Sequence, residues 1–391
     1  MNNLTRHLSR AVNSIAPSGI RKFFDLVSQT QGVISLGVGE PDFVTPWHIR
    51  EACYYSLEKG YTMYTSNLGL PELREEIAAY MLRGFGIEYD PADEILVTVG
   101  VSEAVDLALR SLVDPGDEVL IPEPSYVSYA PGTVLAYGKP VLLQTTADNE
   151  FRLTPEELAA RITPRSKVLV LPYPNNPTGG IMGREDLTKL VDIIIDNDLI
   201  VISDEIYCEL TYNGRHASIA ALPGMRDRTI VLNGFSKAFA MTGWRIGYAC
   251  GNPAIIGAMT KIHQYTMLCA PIMSQMAAIE ALRHGEPRMR EMVEEYDYRR
   301  RVILKGFAEI GLDCFEPKGA FYTFPSIQVT GMTSEEFAEK LLMEEKVAVV
   351  PGNAFGPSGE GFIRCCYAAS LKQIEEAIER MGRFVTRHRK K

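Results

Sequence analysis

From residue 94 onward the hydrophobic positions gather into short continuous runs, with helical patterns between several of them. The runs are EILVTV (94–99), EVLIP (118–122), PVLLQ (140–144), KVLVL (167–171), LIVIS (199–203), TIVLN (229–233) and RIGYA (245–249). Val, Ile and Leu in series, without polar alternation, predict strands buried on both faces, as in a largely parallel sheet covered by helices. Thr154, Pro155 and Glu157 spell a capping box with proline at the first helical position. Leu187, Leu190, Val191 and Ile194 repeat at helical spacing. The pattern predicts an α/β protein built on a mostly parallel seven-stranded sheet flanked by helices.

After about residue 285 the pattern changes. A long charged helix (MREMVEEYDYRRRVILKGF) leads into AFYTF, a helix opened by Thr333 and Glu336, then KVAVVP, FIRCC and a last helix from Ser370. This predicts a smaller α+β unit. A chain of 391 residues exceeds what one core usually fills. The expected division is a large domain over 46–284 and a second unit made of 1–45 and 285–391.

Charge and composition remove several classes of function. The formal charge of -9 argues against a nucleic-acid surface, and the basic RHRKK at the end reads as a solvated tail. Seven scattered cysteines form no CxxC pair, and six histidines show no HExxH or clustered spacing. Neither a disulfide framework nor a metal centre is supported. The first residues carry no apolar signal region and no run reaches membrane-spanning length, so a cytoplasmic location is expected.

In an open α/β sheet, ligands bind beyond the carboxyl ends of the strands. After EILVTV, Gly100, Val101 and Ser102 open a helix whose free N–H groups suit a phosphate, although an ordinary strand–helix turn reads the same way. After EVLIP comes Tyr126, either a packing aromatic or a platform for a ring. After KVLVL, the turn PYPNNPTG holds Asn175 and Asn176 at the sheet edge, rigid enough to aim a polar side chain at a ligand. Asp204, which ends LIVIS and precedes Tyr207, either caps the next segment or faces a cation in the cleft.

After TIVLN comes GFSKAFAMTGWRIGY (234–248), which sets Lys237 and Arg245 among apolar, aromatic and glycine residues, with Ser236 beside the lysine. Isolated charges in such surroundings are costly unless paired. A buried, unpaired lysine tends to lose its proton, and the neutral amine forms Schiff bases with aldehydes. Each of these residues alone has a structural explanation. Together they offer a Schiff-base lysine, a carboxylate for a pyridinium nitrogen, a phosphate cradle, a ring platform and a donor for a phenolic oxygen. Pyridoxal 5'-phosphate (PLP) is the cofactor that needs all five.

The chain resembles the fold-type I, class I/II aminotransferases. Ordered blocks carry the likeness end to end: SLGVGEPDF, YTMYTSNLGLPELRE, PNNPTG, SDEIY, GFSKAFAMTGWRIGY, KGAFY, VAVVPG and FIRCCYA. Within the family it is similar to the aromatic and aspartate aminotransferase branch. The resemblance implies that Lys237 holds PLP as a Schiff base and shuttles the proton, while Asp204 pairs with the pyridine nitrogen. It implies that Tyr207 and Asn176 hydrogen-bond the phenolic oxygen and that Tyr126 stacks on the ring. The phosphate is expected on the Val101 and Ser102 amides with Ser236 and Arg245. Tyr64 is expected to reach it from a neighbouring subunit, in a homodimer with shared active sites. Arg364 is expected to grip the substrate α-carboxylate, helped by Asn176 and the Gly39 backbone.

The activity so implied is ping-pong transamination between an L-amino acid and a 2-oxo acid, with 2-oxoglutarate as acceptor. Val101 and Ser102 stand where aspartate-using relatives often have a glycine followed by a lysine, and Tyr126 stands where that subgroup has tryptophan. PSGIRKFFDL (17–26) resembles the aromatic branch. Aromatic or other large apolar donors are therefore expected, with aspartate as the alternative. A lyase, decarboxylase or synthase of the same fold would share the cofactor residues. A PLP-binding regulator is disfavoured because nothing basic or winged-helix-like precedes residue 40. A nicotinamide dehydrogenase is disfavoured because Gly37 and Gly39 lack a third glycine and Pro41 blocks a helix there.

Overall fold

The computed structural model describes residues 4–16, 27 and 30–390. The segment PSGIRKFFDL lies outside the described residues. A short first strand, β1 (Ile34–Ser35), stands apart from the main sheet. All seven apolar runs are strands of that sheet: β2 (Ile95–Thr98), β3 (Glu118–Glu123), β4 (Lys139–Gln144), β5 (Ser166–Leu171), β6 (Ile200–Asp204), β7 (Thr229–Gly234) and β8 (Gly247–Cys250). Their order is β2-β8-β7-β6-β5-β3-β4. Only β8 runs antiparallel to its neighbours. It begins at Gly247, two residues later than the apolar run, because Arg245 takes a left-handed φ of 51° at the end of a short 3₁₀ turn, Thr242–Trp244.

Helices cover both faces, which is why the strands lack alternation. Leu96 of β2 packs in a cluster with Ala104, Ala108, Ile256 and Met259 from helices Val101–Leu112 and Pro253–Thr266. Ile95 and Val97 point the other way, into a cluster with Leu73, Ile77 and Met81 of helix Pro71–Phe85. The spacing Leu187, Leu190, Ile194 is buried on helix Arg184–Asp196, with Val191 at its margin. Thr154 caps helix Pro155–Arg161 as expected, accepting from the Glu157 N–H. The box is only half formed, however. The Glu157 carboxylate accepts instead from the Gln144 N–H at the end of edge strand β4, which takes it away from the Thr154 amide.

The remaining strands are β9 (Tyr322–Thr323), β10 (Val347–Ala348), β11 (Val350–Pro351) and β12 (Ile363–Cys366). The run KVAVVP thus splits into two: β10 pairs in parallel with β1, and β11 joins the antiparallel order β11-β12-β9. Complete capping boxes open helices Ser334–Glu345, through Thr333 and Glu336, and Leu371–His388, through Ser370 and Gln373. The charged segment after 285 is one 25-residue helix, Glu286–Ile310.

Two sets of contacts place residues 37–42 over the carboxyl ends of the main strands. Ile34 and Leu36 donate to the carbonyls of Lys346 and Ala348, and Cys366 donates back to Leu36. Arg299 then holds both Asp42 oxygens at 2.8 Å from the long helix. Among the described residues no helix is long and apolar enough to cross a membrane.

Candidate active site

A cavity of about 600 Å³ opens where the strand ends meet that segment. Gly39, Val101, Ser102, Tyr126, Asn176, Asp204, Tyr207, Ser236, Lys237, Arg245 and Arg364 all line it. Five of the strand exits singled out from sequence therefore converge on one space. Tyr64 does not enter it; its side chain is 82% exposed on the surface.

Lys237 follows β7 by three residues and reaches into the cavity floor. Its Nζ donates to the Gly39 carbonyl at 2.8 Å and lies 5.6 Å from the ring centroids of both Tyr207 and Phe321. Burial lowers its pKa to about 8, with Arg364 and Arg245 pushing the same way and Cys366 and Glu40 opposing. The amine is therefore uncharged in a useful fraction of molecules near neutral pH.

Arg245, the second cation of the same stretch, is exposed at the cavity rim and donates to the Thr242 carbonyl at 3.0 Å. Water lifts the cost that its apolar sequence neighbours suggested. It faces the turn at Gly100, whose φ of 76° and ψ of 166° suit glycine alone. A Cβ there would fall 2.6 Å from Arg245 Nη2. The turn starts helix Val101–Leu112, so the guanidinium and the first helical N–H groups border the same corner.

Asp204 is the last residue of β6 and is buried. Tyr129 donates to its Oδ2 at 2.7 Å, and the Ile206 N–H to Oδ1 at 3.2 Å. Burial raises its pKa to about 6 despite those two donors. The neighbouring Glu205 turns away and accepts from the hydroxyls of Ser203 and Ser218. Of the two acids, only Asp204 faces the cavity.

Arg364 comes from β12 on the opposite wall. It donates to Asn176 Oδ1 at 2.7 Å and to the Gly37 carbonyl at 2.6 Å, while its guanidinium sits 4.5 Å from the Tyr322 ring centroid. Its Nε is buried without a partner. Tyr207 and Tyr322 share a hydroxyl–hydroxyl bond of 2.7 Å. Asn175 spends its side chain on the turn, accepting from Thr178, which leaves Asn176 as the amide at the cavity.

Tyr129, Tyr322, Glu40 and Thr242 line the cavity too, and sequence reasoning missed them. KGAFY pointed toward Tyr322, but no spacing rule tied Tyr129 to an acid 75 positions away.

These groups fit PLP. The cavity offers a depressed amine, a buried carboxylate, a glycine cradle that a Cβ would fill, and an orphaned arginine N–H. The family model for aminotransferase class I and II matches residues 31–381. The chain is 53% identical over 382 residues to the Bacillus subtilis protein YugH, covering 98% of this chain and 99% of that one. It is 48% identical to an aspartate aminotransferase of Pyrococcus abyssi and 45% identical to aromatic-amino-acid aminotransferase 2 of Thermococcus litoralis, each over 97% of this chain and 98% of theirs. A solved structure of aspartate aminotransferase from Thermus thermophilus with maleate superposes with a TM-score of 0.92 at 38% identity, covering 96% of this chain and 99% of that one. The chain belongs to the class I and II aminotransferases and is a PLP-dependent enzyme of that family.

Proposed function

We propose that this enzyme transfers the amino group of an aromatic or other large apolar L-amino acid to 2-oxoglutarate by a ping-pong cycle. The carrying observation is how the cavity's cations are spoken for. Lys237, Arg245 and Arg364 are the Lys and Arg residues among those lining it. Each has a proposed task at the aldehyde, the phosphate or the α-carboxylate. Among the described residues that line the cavity no further cation remains to reward a donor's side-chain carboxylate, and Glu40 would repel one.

PLP bound here supplies an aldehyde for the substrate amine and an electron-withdrawing ring. The protein's own groups do the rest. Arg364, held by Asn176 and the Gly37 carbonyl, presents a fixed fork to a carboxylate. Lys237, with its lowered pKa, accepts the substrate α-proton at Nζ and later returns a proton. Asp204, when ionised, keeps a proton on the ring nitrogen. Tyr207 and Asn176 donate to the phenolic oxygen, and Tyr126 covers one ring face. The Val101 and Ser102 N–H groups, Ser236 and Arg245 take the phosphate.

A homodimer with Tyr64 of a second copy at the phosphate belongs to the same proposal. Support comes from exposed aromatic side chains, among them Tyr64 itself and the touching pair Trp47 and Tyr54. The division into 46–284 and 1–45 plus 285–391 is proposed as well, supported by the pairing of β1 with β10. Seven free cysteines suit a reducing, cytoplasmic setting.

The test is a panel of single amino acids added to PLP-loaded enzyme without any keto acid. Half-conversion at the lowest concentrations by phenylalanine, tyrosine or a large aliphatic amino acid supports the assignment. Aspartate ahead of all of them overturns it.

A further inference from the structure

We propose that Tyr129 is a positioning residue for the cofactor: its hydroxyl holds Asp204 oriented and ionised so that the carboxylate can pair with the ring nitrogen. The inference rests on the reading of Asp204 given above. Tyr129 opens helix Tyr129–Leu135, is 3% exposed and lines the cavity. Its ring stands edge-on to Tyr126 at 5.7 Å, and its O–H donates to Asp204 Oδ2 at 2.7 Å.

Asp204 needs such help. It ends a strand buried at this point, and the acid beside it, Glu205, is fully enclosed. Burial and Glu205 both favour the protonated carboxyl, which cannot stabilise a positive ring nitrogen. On the other side stand the Ile206 N–H, bonded to Oδ1, and Lys237, which faces Asp204 across the cavity. Ile206 is a backbone donor fixed by the chain turn, and Lys237 is claimed by the aldehyde. Tyr129 is the side-chain hydroxyl that bonds the carboxylate, and its own pKa is pushed well above 10, so it stays a donor at working pH. A hydrogen bond to an ionised group is among the stronger kinds.

A double-mutant cycle read by PLP binding to the apo-protein tests this without relying on turnover. Tyr129→Phe is expected to weaken PLP binding about tenfold or more near neutral pH. The pH below which affinity falls should also rise, because Asp204 loses its proton only at higher pH. In an Asp204→Asn background the same change should cost almost nothing, since the hydroxyl then has no charge to hold. Tyr129→His, which keeps a ring and a donor, should recover part of the loss and serves if the phenylalanine variant folds poorly. Equal losses in both backgrounds would reduce Tyr129 to packing and overturn the proposal, as would no loss in either. If the wild type itself fails to bind PLP through Lys237, it is the underlying assignment of the site that has failed.

Discussion

At the scale of single residues, the cavity is a set of costs that bound ligands relieve. Arg364 is buried with one N–H unpaired, so it gains more from a carboxylate than a solvated arginine would. Arg364→Lys keeps the charge but loses the planar fork. The expected outcome is a KM for the amino donor raised about 10- to 100-fold, with a smaller change in kcat, measured by steady-state kinetics. Much of this site was legible in the sequence because each residue comes soon after an apolar run: Asp204 and the Gly100 turn at once, Lys237 and Asn176 within the loop that follows. Tyr129 was not legible, since its partner is brought near only when β3 and β6 enter one sheet. Arg245 was read as a cation needing a partner; exposure at the rim, set by the backbone turn before β8, removes that need.

At the scale of elements, the strand-to-helix turn at Gly100 is where backbone shape serves chemistry. Gly100→Ala would force a side chain into a conformation costing about 1–3 kcal/mol and push on Arg245 Nη2. The expected result is weaker PLP binding, measured by titration of apo-protein, together with a lower Tm. Far from the site, Thr333→Ala removes a complete capping box and should cost about 1 kcal/mol of stability with PLP affinity unchanged. Strand positions followed directly from apolar runs because both faces of the sheet are covered. Capping was less legible: Thr154 and Glu157 have the spacing of a box, but an edge-strand amide competes for the glutamate. Sequence spacing records what is local, and that competitor comes from another element.

At the scale of the whole molecule, burial shifts two ionisable groups of the cavity against their charged forms. Asp204 is raised from an ordinary 3.8 to about 6, so the stability it contributes at low pH is lost as pH rises through 6. Lys237 is lowered from 10.5 to about 8, so its cost is complete below 8 and is relieved as pH rises beyond it. Between pH 6 and 8 both penalties act together. On the proposed roles PLP would engage both groups, so the rise in Tm on adding PLP to apo-protein should be largest in that window, as thermal melts across pH 5–10 would show. Sedimentation should find a dimer under the same conditions, and Tyr64→Phe should lower PLP affinity without dissociating it.

Lys237 is proposed as the amine that carries PLP and moves the substrate proton. The most direct measurement is the visible absorbance spectrum of wild type and Lys237→Ala, each loaded with PLP and then given a stoichiometric amino acid alone. The wild type should show the band of a lysine-bound cofactor and convert it to that of the aminated form within one turnover. The alanine variant, still folded and still binding PLP, should lack the first band and fail to make the conversion at a comparable rate. Conversion at the wild-type rate without Lys237 would show that another group carries PLP and moves the proton.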